Sequence, residues 1–242
     1  MLSNLAHKSA CLAVLAGATV FSAAAEDLTV VSSVTSGKKG ESVTATQYIA
    51  TDKLRTSDGR YDTITDIVSG RMVHVDHKKK EYWETSLAEM REQFAELERL
   101  VDENPMMATM LGAATEVDLR KGSETREIVG YVCDQYSLSI GKLQFELWAA
   151  RELKAPAQYY DGAKLIYATM GPMASRFEQL YEEMKKIDGF PLRSELDSKL
   201  MGMNIHTVSE ATEVRKGPIP PGTFDPPAGY KKKKSPYEKK SP

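Results

Sequence analysis

A run of short β-like segments, joined by short turns, extends from residue 27 to residue 86 and is the strongest constraint on the fold. The segments are rich in Val, Thr, Ile and Tyr, and the turns contain Gly, Asp, Ser and Lys. The first five segments read DLTVVSSVT, SVTATQYIA, DKLRTS, RYDTITDIV and RMVHVDH. Parallel neighbours need a crossover connection of about a dozen residues or more, and these turns are too short for that. The strands must therefore pair antiparallel, which predicts a meander.

The charged stretch DHKKKEYWETSLAEM, residues 76–90, fits the same pattern. RMVHVDH and KEYWET predict two strands, and the lysines between them form an exposed turn. Ser86 then predicts the N-cap of a helix, and Glu89 three residues later completes a capping box. Apolar residues recur at spacings of three and four from Leu87 to Val101, which indicates a helix with one apolar face.

Further strands and a long helical repeat follow. TEVDLRK, TREIVGYVCDQYSLSI and LQFELWAAREL predict strands, and FPLRSELDSKLMGMNIHTVSEATEVRK predicts more strands near the end. Between them, apolar residues from Tyr159 to Ile187 recur at alternating spacings of four and three. Proline removes a helical hydrogen bond, so Gly171-Pro172 predicts two helical arms hinged at residues 171–172. This order of elements predicts an α+β fold and not a parallel doubly wound sheet.

The two ends of the chain differ from its middle in composition. Residues 1–25 combine Lys8, an apolar run too short to span a bilayer and small residues before the first acid, which is typical of a cleaved secretory signal. We therefore expect a periplasmic protein, cleaved near Ala25, with one domain at residues 26–230. The last segment, KKKKSPYEKKSP at residues 231–242, contains six lysines and no aliphatic side chain, which predicts a disordered basic tail.

No arrangement of residues predicts catalysis or metal binding. Cys11 lies in the signal, so Cys133 is a single thiol without an internal disulfide partner, and such thiols are commonly buried. His74 and Asp76 share one strand face while His77 points to the other, and local spacing supplies no third metal ligand. Nucleophile-elbow, zinc-protease, phosphate-loop and dinucleotide motifs are absent from the sequence. We therefore predict a protein that is not an enzyme and has no metal or cofactor; the alternative is an enzyme that uses His74, Asp76 or Cys133.

Methionine is concentrated on or beside the helices and the last strands. Its flexible side chain adapts to apolar ligands of varied shape, or fills gaps in a core between helices and sheet, and both interpretations remain open. In the first interpretation, helices form a lid over an apolar groove on the sheet. The residues expected to line that groove are Tyr82 or Trp83 or both, Met90, Phe94, Phe145, Trp148, Met170, Met173 and Phe177.

The chain resembles a family of periplasmic domains related to the outer-membrane lipoprotein-sorting factor (LolA-like). The resemblance covers residues 27 to 233 and rests on the signal, on TQYIATDKLRT…GR…IVSGRMVHVDHKKKEYW with the helix after it, and on HTVSEATEVRKGPIPPGTFDPPAGYKK. It implies a curved antiparallel β-sheet, an unclosed half-barrel, with helices packed as a lid on its concave face over a hydrophobic cavity. It also implies that Arg55, in DKLRT, ties the lid shut.

These observations give two interpretations of function. The first is a non-catalytic periplasmic carrier for a lipid or other apolar ligand held in a hydrophobic cavity. The alternative is a structural or interaction module of the cell envelope, with a self-filled core and the basic tail as its contact element. The tail, Lys231–Lys240, is either a contact for an anionic membrane or cell wall or an inert terminus. Because the net charge is −2 even with the tail included, we expect no nucleic-acid partner, and we expect a monomer.

Overall fold

The computed structural model describes residues 26–37, 41–104, 117–140, 143–154, 159–167, 174–200 and 203–238. The predicted signal, residues 1–25, lies outside them. Three helices are present in the described part: α1 (Leu87–Asp102), α2 (Tyr159–Tyr167) and α3 (Ala174–Met184). The strands are β1 (Leu28–Ser36), β2 (Glu41–Ile49), β3 (Lys53–Ser57), β4 (Tyr61–Asp66), β5 (Arg71–Asp76), β6 (Glu81–Ser86), β7 (Val117–Ile128), β8 (Tyr131–Ile140), β9 (Leu143–Ala150), β10 (Phe190–Leu200), β11 (Met203–Lys216) and β12 (Lys231–Lys232).

All of these strands belong to one sheet, in the order β12-β6-β5-β4-β3-β2-β1-β11-β10-β9-β8-β7. Strands β1–β6 form one antiparallel meander, as the short turns predicted, and β7–β11 form a second antiparallel set, in which the segment containing α2 and α3 connects β9 to β10. The two meanders join where β1 pairs antiparallel with β11. Strands β7 and β12 are the outer strands of this order, so the sheet is unclosed over the described residues, and the chain is an α+β protein.

Local sequence signals set the helix boundaries. Ser86 Oγ accepts a hydrogen bond from the Glu89 amide at 3.2 Å, and Glu89 Oε2 accepts one from the Ser86 amide at 2.7 Å, so the predicted capping box is confirmed. Helices α2 and α3 are separate helices on either side of residues 168–173, which lie outside the described part of the chain. The predicted hinge at residues 171–172 lies in that interval.

The helices identify one face of the sheet, which we call the inner face. Helix α2 contacts β3 and β4, α3 contacts β7, and α1 contacts β6. Gly162 of α2 lies against Leu54 and Ile67, where a Cβ atom would approach Leu54 Cδ1 to 2.5 Å, so its lack of a side chain permits this close approach. None of the helices in the described residues is long and apolar enough to cross a membrane.

Residues 217–238, which we call the C-terminal strap, cover one end of the opposite, outer face and then continue past the edge of the sheet, so that Tyr237 packs on the inner face. Its Phe224 and Tyr230 pack against the buried cluster Ile64, Val73 and Val75 of strands β4 and β5. This apolar contact fixes the strap across the sheet before the chain reaches the edge strand β6.

The last part of the strap differs from the predicted disordered tail of residues 231–242. Lys231 and Lys232 pair in parallel with β6, and the Lys233 amide donates to the Tyr82 carbonyl at 2.7 Å. Tyr237 then packs with its ring centroid 5.7 Å from that of Trp83. The prediction of disorder used only the composition of the segment. It took no account of the free edge of β6, which pairs with the segment, or of the aromatic contact of Tyr237. Residues 239–242 lie outside the described part of the chain.

Candidate ligand-binding groove

Short side chains in the middle of the sheet leave a groove of about 530 Å³ on the inner face. Ala45, Ser32, Ser209 and Ser194 line it from β2, β1, β11 and β10, four neighbouring strands of the sheet. Side chains of alternate residues point to the same face of a strand, so these four small residues form a floor of low height. The volume lies within the roughly 300–1,000 Å³ typical of small-molecule sites.

Large apolar side chains form the walls of this groove. They come from both meanders and from α2 and α3: Val30, Val34, Ile49, Leu54, Tyr61, Leu138, Phe145, Leu147, Tyr159, Leu180, Tyr181 and Met184. Seven strand spacings separate β4 from β8, which is about 34 Å in a flat sheet. Because Tyr61 of β4 and Leu138 of β8 line the same groove, we infer that the sheet curves around it.

Hydroxyl and amide side chains line the end of the groove near the β3–β4 turn. Gln47, Thr56 and Thr63 lie there beside Tyr61, whose side chain is 46% exposed. Asp58 accepts hydrogen bonds from the backbone amides of the turn, which fixes the entry to β4. The groove therefore has apolar walls, a floor that contains three serines, and a polar end that opens towards solvent.

The predicted lining residues divide into several groups. Phe145 lines the groove. Trp148, three residues further along β9, points to the opposite face, where the Arg126 guanidinium lies 5.3 Å from its ring centroid. Met170 and Met173 lie outside the described residues, and the side chain of Phe177 is not described.

The other predicted lining residues lie elsewhere in the fold. Tyr82 packs on the outer face with the strap, and its neighbour Trp83 stacks on His74 on the inner face. Met90 is fully buried in a cluster with Met72 and Leu165, and Phe94 packs against that cluster. None of these four predicted residues lines the groove. The sequence analysis did not predict the small residues of the floor. The signal that could have identified them is the alternation of side chains along each strand, which assigns each residue to one face of the sheet.

Arg55 borders the groove, and its side chain binds the C-terminal strap. Its Nη1 donates to the Thr223 carbonyl at 2.7 Å, and its Nη2 donates to Asp62 Oδ2 at 2.6 Å. Over the described residues, these hydrogen bonds join Arg55 to the strap and to β4, and no helical partner for its side chain is found. The position matched the resemblance, but the partner in this chain is a segment about 170 residues downstream.

Asp62 is the centre of a buried polar network under the strap. Its side chain is 0% exposed, and its Oδ2 also lies 2.8 Å from His77 Nε2. The other ring nitrogen, Nδ1, lies 2.9 Å from the Tyr230 hydroxyl. A carboxylate only accepts, so Nε2 donates to Asp62. The strap covers this group and the groove does not reach Asp62 or His77, so the network holds the strap to the sheet.

Two other titratable side chains, Cys133 and His74, are both uncharged at neutral pH. Burial raises the pKa of the Cys133 thiol to about 11, so this fully buried side chain stays protonated and weakly nucleophilic. Burial also lowers the pKa of His74 to about 4, so its ring is neutral at pH 7. The ring stacks on Trp83 with 4.0 Å between centroids.

The His74 shift predicts an acid-dependent loss of stability. The unfolded side chain has a pKa of 6.5 and the folded one about 4, so the unfolded state binds the extra proton between these values. The contribution of His74 to stability should therefore be constant above pH 6.5 and decrease as the pH falls towards 4. We expect His74→Phe, which keeps a ring against Trp83, to lose about 3 kcal/mol less than wild type between pH 7 and pH 4. Urea denaturation across this range measures the difference, and parallel pH profiles would contradict the assignment.

One set of potential metal ligands occurs among the described residues. Ligand atoms of Glu195, Asp197 and His206 lie within 4.8 Å of one another on β10 and β11. Arg193 Nη2 donates to Glu195 at 2.6 Å, and Asp197 and His206 are exposed. Glu195 is therefore already paired with a cation of the chain, and Asp197 Oδ1 lies 2.8 Å from His206 Nδ1.

The fold and the groove of the described residues define a class of protein: an unclosed, mainly antiparallel sheet with helices on one face and an apolar-walled groove on that face. The chain belongs to a family described as a domain of unknown function, DUF4412, whose model matches residues 34–230. A search of curated proteins found no significant match.

Solved structures similar to this chain have low sequence identity. PNGF-II is 14% identical with a TM-score of 0.43; the match covers 87% of this chain and 32% of that one, so this chain spans about a third of PNGF-II. An uncharacterized conserved protein from Thermus thermophilus is 9% identical with a TM-score of 0.46, covering 87% and 91% of the two chains. MucB is 13% identical with a TM-score of 0.41, covering 85% and 59%.

Proposed function

We propose that this protein is a non-catalytic periplasmic carrier for a lipid or other apolar ligand, which binds in the groove of the inner face. The single observation that carries the proposal is the groove itself, with its floor of small residues and its walls of large apolar side chains. Burial of an acyl chain stabilises a complex by roughly 0.8 kcal/mol per methylene, so even a short contact along these walls gives measurable affinity.

Helices α2 and α3 act as the lid in this proposal. Tyr159, at the first turn of α2, and Leu180, Tyr181 and Met184 of α3 line the groove from the helical side. A ligand lying between these side chains and the floor is removed from water on both sides.

The non-catalytic part of the proposal rests on the surroundings of the candidate groups. Cys133 is buried, His77 lies under the strap, His74 is stacked on Trp83, and Asp76 lies 3.4 Å from the Lys79 ammonium group. The groove reaches none of these four candidate groups. Export rests on the composition of residues 1–25, and N-terminal sequencing of protein purified from the periplasm should give a start near Glu26.

Two measurements test the proposal directly. Protein purified without detergent should release fatty acid or phospholipid that lipid mass spectrometry detects, and delipidated protein should take up a fluorescent acyl probe with saturable binding. Protein that carries no lipid and takes up no probe would contradict the carrier function and favour the interaction module with a self-filled core.

A further inference from the structure

The sheet brings together two lysine runs that lie about 150 residues apart in the sequence. Lys78, Lys79 and Lys80 form most of the β5–β6 turn, and the Lys231 amide donates to the Lys80 carbonyl at 3.0 Å. The His77 amide of the same turn donates to the Arg60 carbonyl at 3.0 Å, so the β3–β4 turn lies alongside. We call Arg60, Lys78, Lys79, Lys80 and Lys231 the basic corner.

Most of the charge of the basic corner is not neutralised within the chain. Lys79 lies 3.4 Å from Asp76, but Lys78, Lys80 and Lys231 have no ion-pair partner among the described residues, and all three are exposed. The next two lysines of the strap differ, since Lys232 and Lys233 pair with Glu84 and Glu81 at 3.0 Å. The whole chain has a net charge of −2, so this corner is a positive site on a negative body.

The basic corner lies beside the polar end of the groove. Register places Tyr61, Asp76, Glu81 and Lys231 in one row across β4, β5, β6 and β12. Three strand spacings therefore separate Lys231 from the groove residue Tyr61, which is about 15 Å. The exposed Tyr61 ring lies 4.9 Å from the Arg60 guanidinium carbon, and a tyrosine next to basic side chains is typical of surfaces at a membrane–water interface.

We propose that the basic corner docks this protein on an anionic lipid bilayer, with the polar end of the groove facing the membrane. The negative potential of such a surface attracts nearby lysines and repels the net negative body of the protein. The basic corner therefore determines which end of the protein approaches the bilayer. Binding to the bilayer does not depend on the carrier function. Only the statement that the groove faces the membrane rests on the proposed carrier function. A stiff polyanion such as duplex DNA offers no partner for the exposed tyrosine.

Vesicle co-sedimentation of the full chain tests this proposal. Wild type should bind vesicles of about 30% phosphatidylglycerol in phosphatidylcholine at about 0.1 M NaCl, bind much less at about 0.5 M NaCl, and bind pure phosphatidylcholine weakly. A triple variant with Lys78→Gln, Lys80→Gln and Lys231→Gln should bind the anionic vesicles on the order of 100-fold more weakly, about fivefold for each lysine. The backbone hydrogen bond between the two runs remains in this variant.

A charge-matched control removes three cations elsewhere: Arg120→Gln, Lys186→Gln and Arg215→Gln, all exposed and all paired with nearby carboxylates. It should bind the anionic vesicles as wild type does. Equal weakening in both triple variants, no binding by wild type, or binding to duplex DNA in place of vesicles would each overturn the proposal. Uptake of an acyl probe in the absence of vesicles separates the two proposals. If wild type binds vesicles but takes up no acyl probe, the carrier function alone is contradicted.

Discussion

Replacing Asp62 by asparagine is expected to lower the free energy of unfolding by about 3 kcal/mol. The substitution keeps the size of the side chain but leaves the guanidinium of Arg55, which is only 19% exposed, without its counter-charge. The strap is also affected, because Asp62 positions both Arg55 against Thr223 and His77 against Tyr230. Urea denaturation at pH 7 measures the change, and the transition midpoint should decrease without a large change in its slope.

Two controls distinguish the effect of leaving a buried charge unpaired from the effect of losing any ion pair. Glu213→Gln breaks an exposed pair with Arg215 and should cost less than about 0.5 kcal/mol. Arg55→Met combined with Asp62→Asn removes the uncompensated cation together with its partner and should recover part of the lost stability. If Asp62→Asn costs no more than Glu213→Gln, the network does not hold the strap.

The fold was largely predictable because its information is local. Turns of a few residues between β-like segments exclude crossover helices, so the antiparallel order of β1–β6 followed directly. The capping box at Ser86 and Glu89 set the start of α1 in the same local way. The joining of the two meanders by β1 and β11 brings together residues about 180 positions apart, and no pattern within either strand encodes that pairing.

The site was less predictable, for two physical reasons. Attention to large apolar side chains identified Phe145 but not the floor, which exists because Ser32, Ser194 and Ser209 are small. Strand alternation also places Phe145 and Trp148 on opposite faces, so both could not line one groove, and this followed from the sequence alone. The partner of Arg55 and the order of the strap depend on contacts between distant segments and required the structure.

Filling the groove from its floor should abolish ligand uptake. Ser32 lines the groove from the middle of β1, opposite Ala45 of β2, so Ser32→Trp places an indole in the low part of the floor. An acyl chain then loses wall contacts worth roughly 0.8 kcal/mol per displaced methylene. Two displaced methylenes already weaken binding of a fluorescent acyl probe by about tenfold, and we expect at least that loss.

The adjacent residue provides a matched control for the same substitution. Ser33 points to the outer face, where its hydroxyl lies 2.6 Å from that of Ser42, so Ser33→Trp adds the same side chain to the same strand without entering the groove. Ser33→Trp should keep the probe affinity of wild type while Ser32→Trp loses it, and thermal melts of both variants establish that each is folded. Because one position along β1 reverses the direction of the side chain, equal affinity in the two folded variants would mean that the ligand does not lie on this floor.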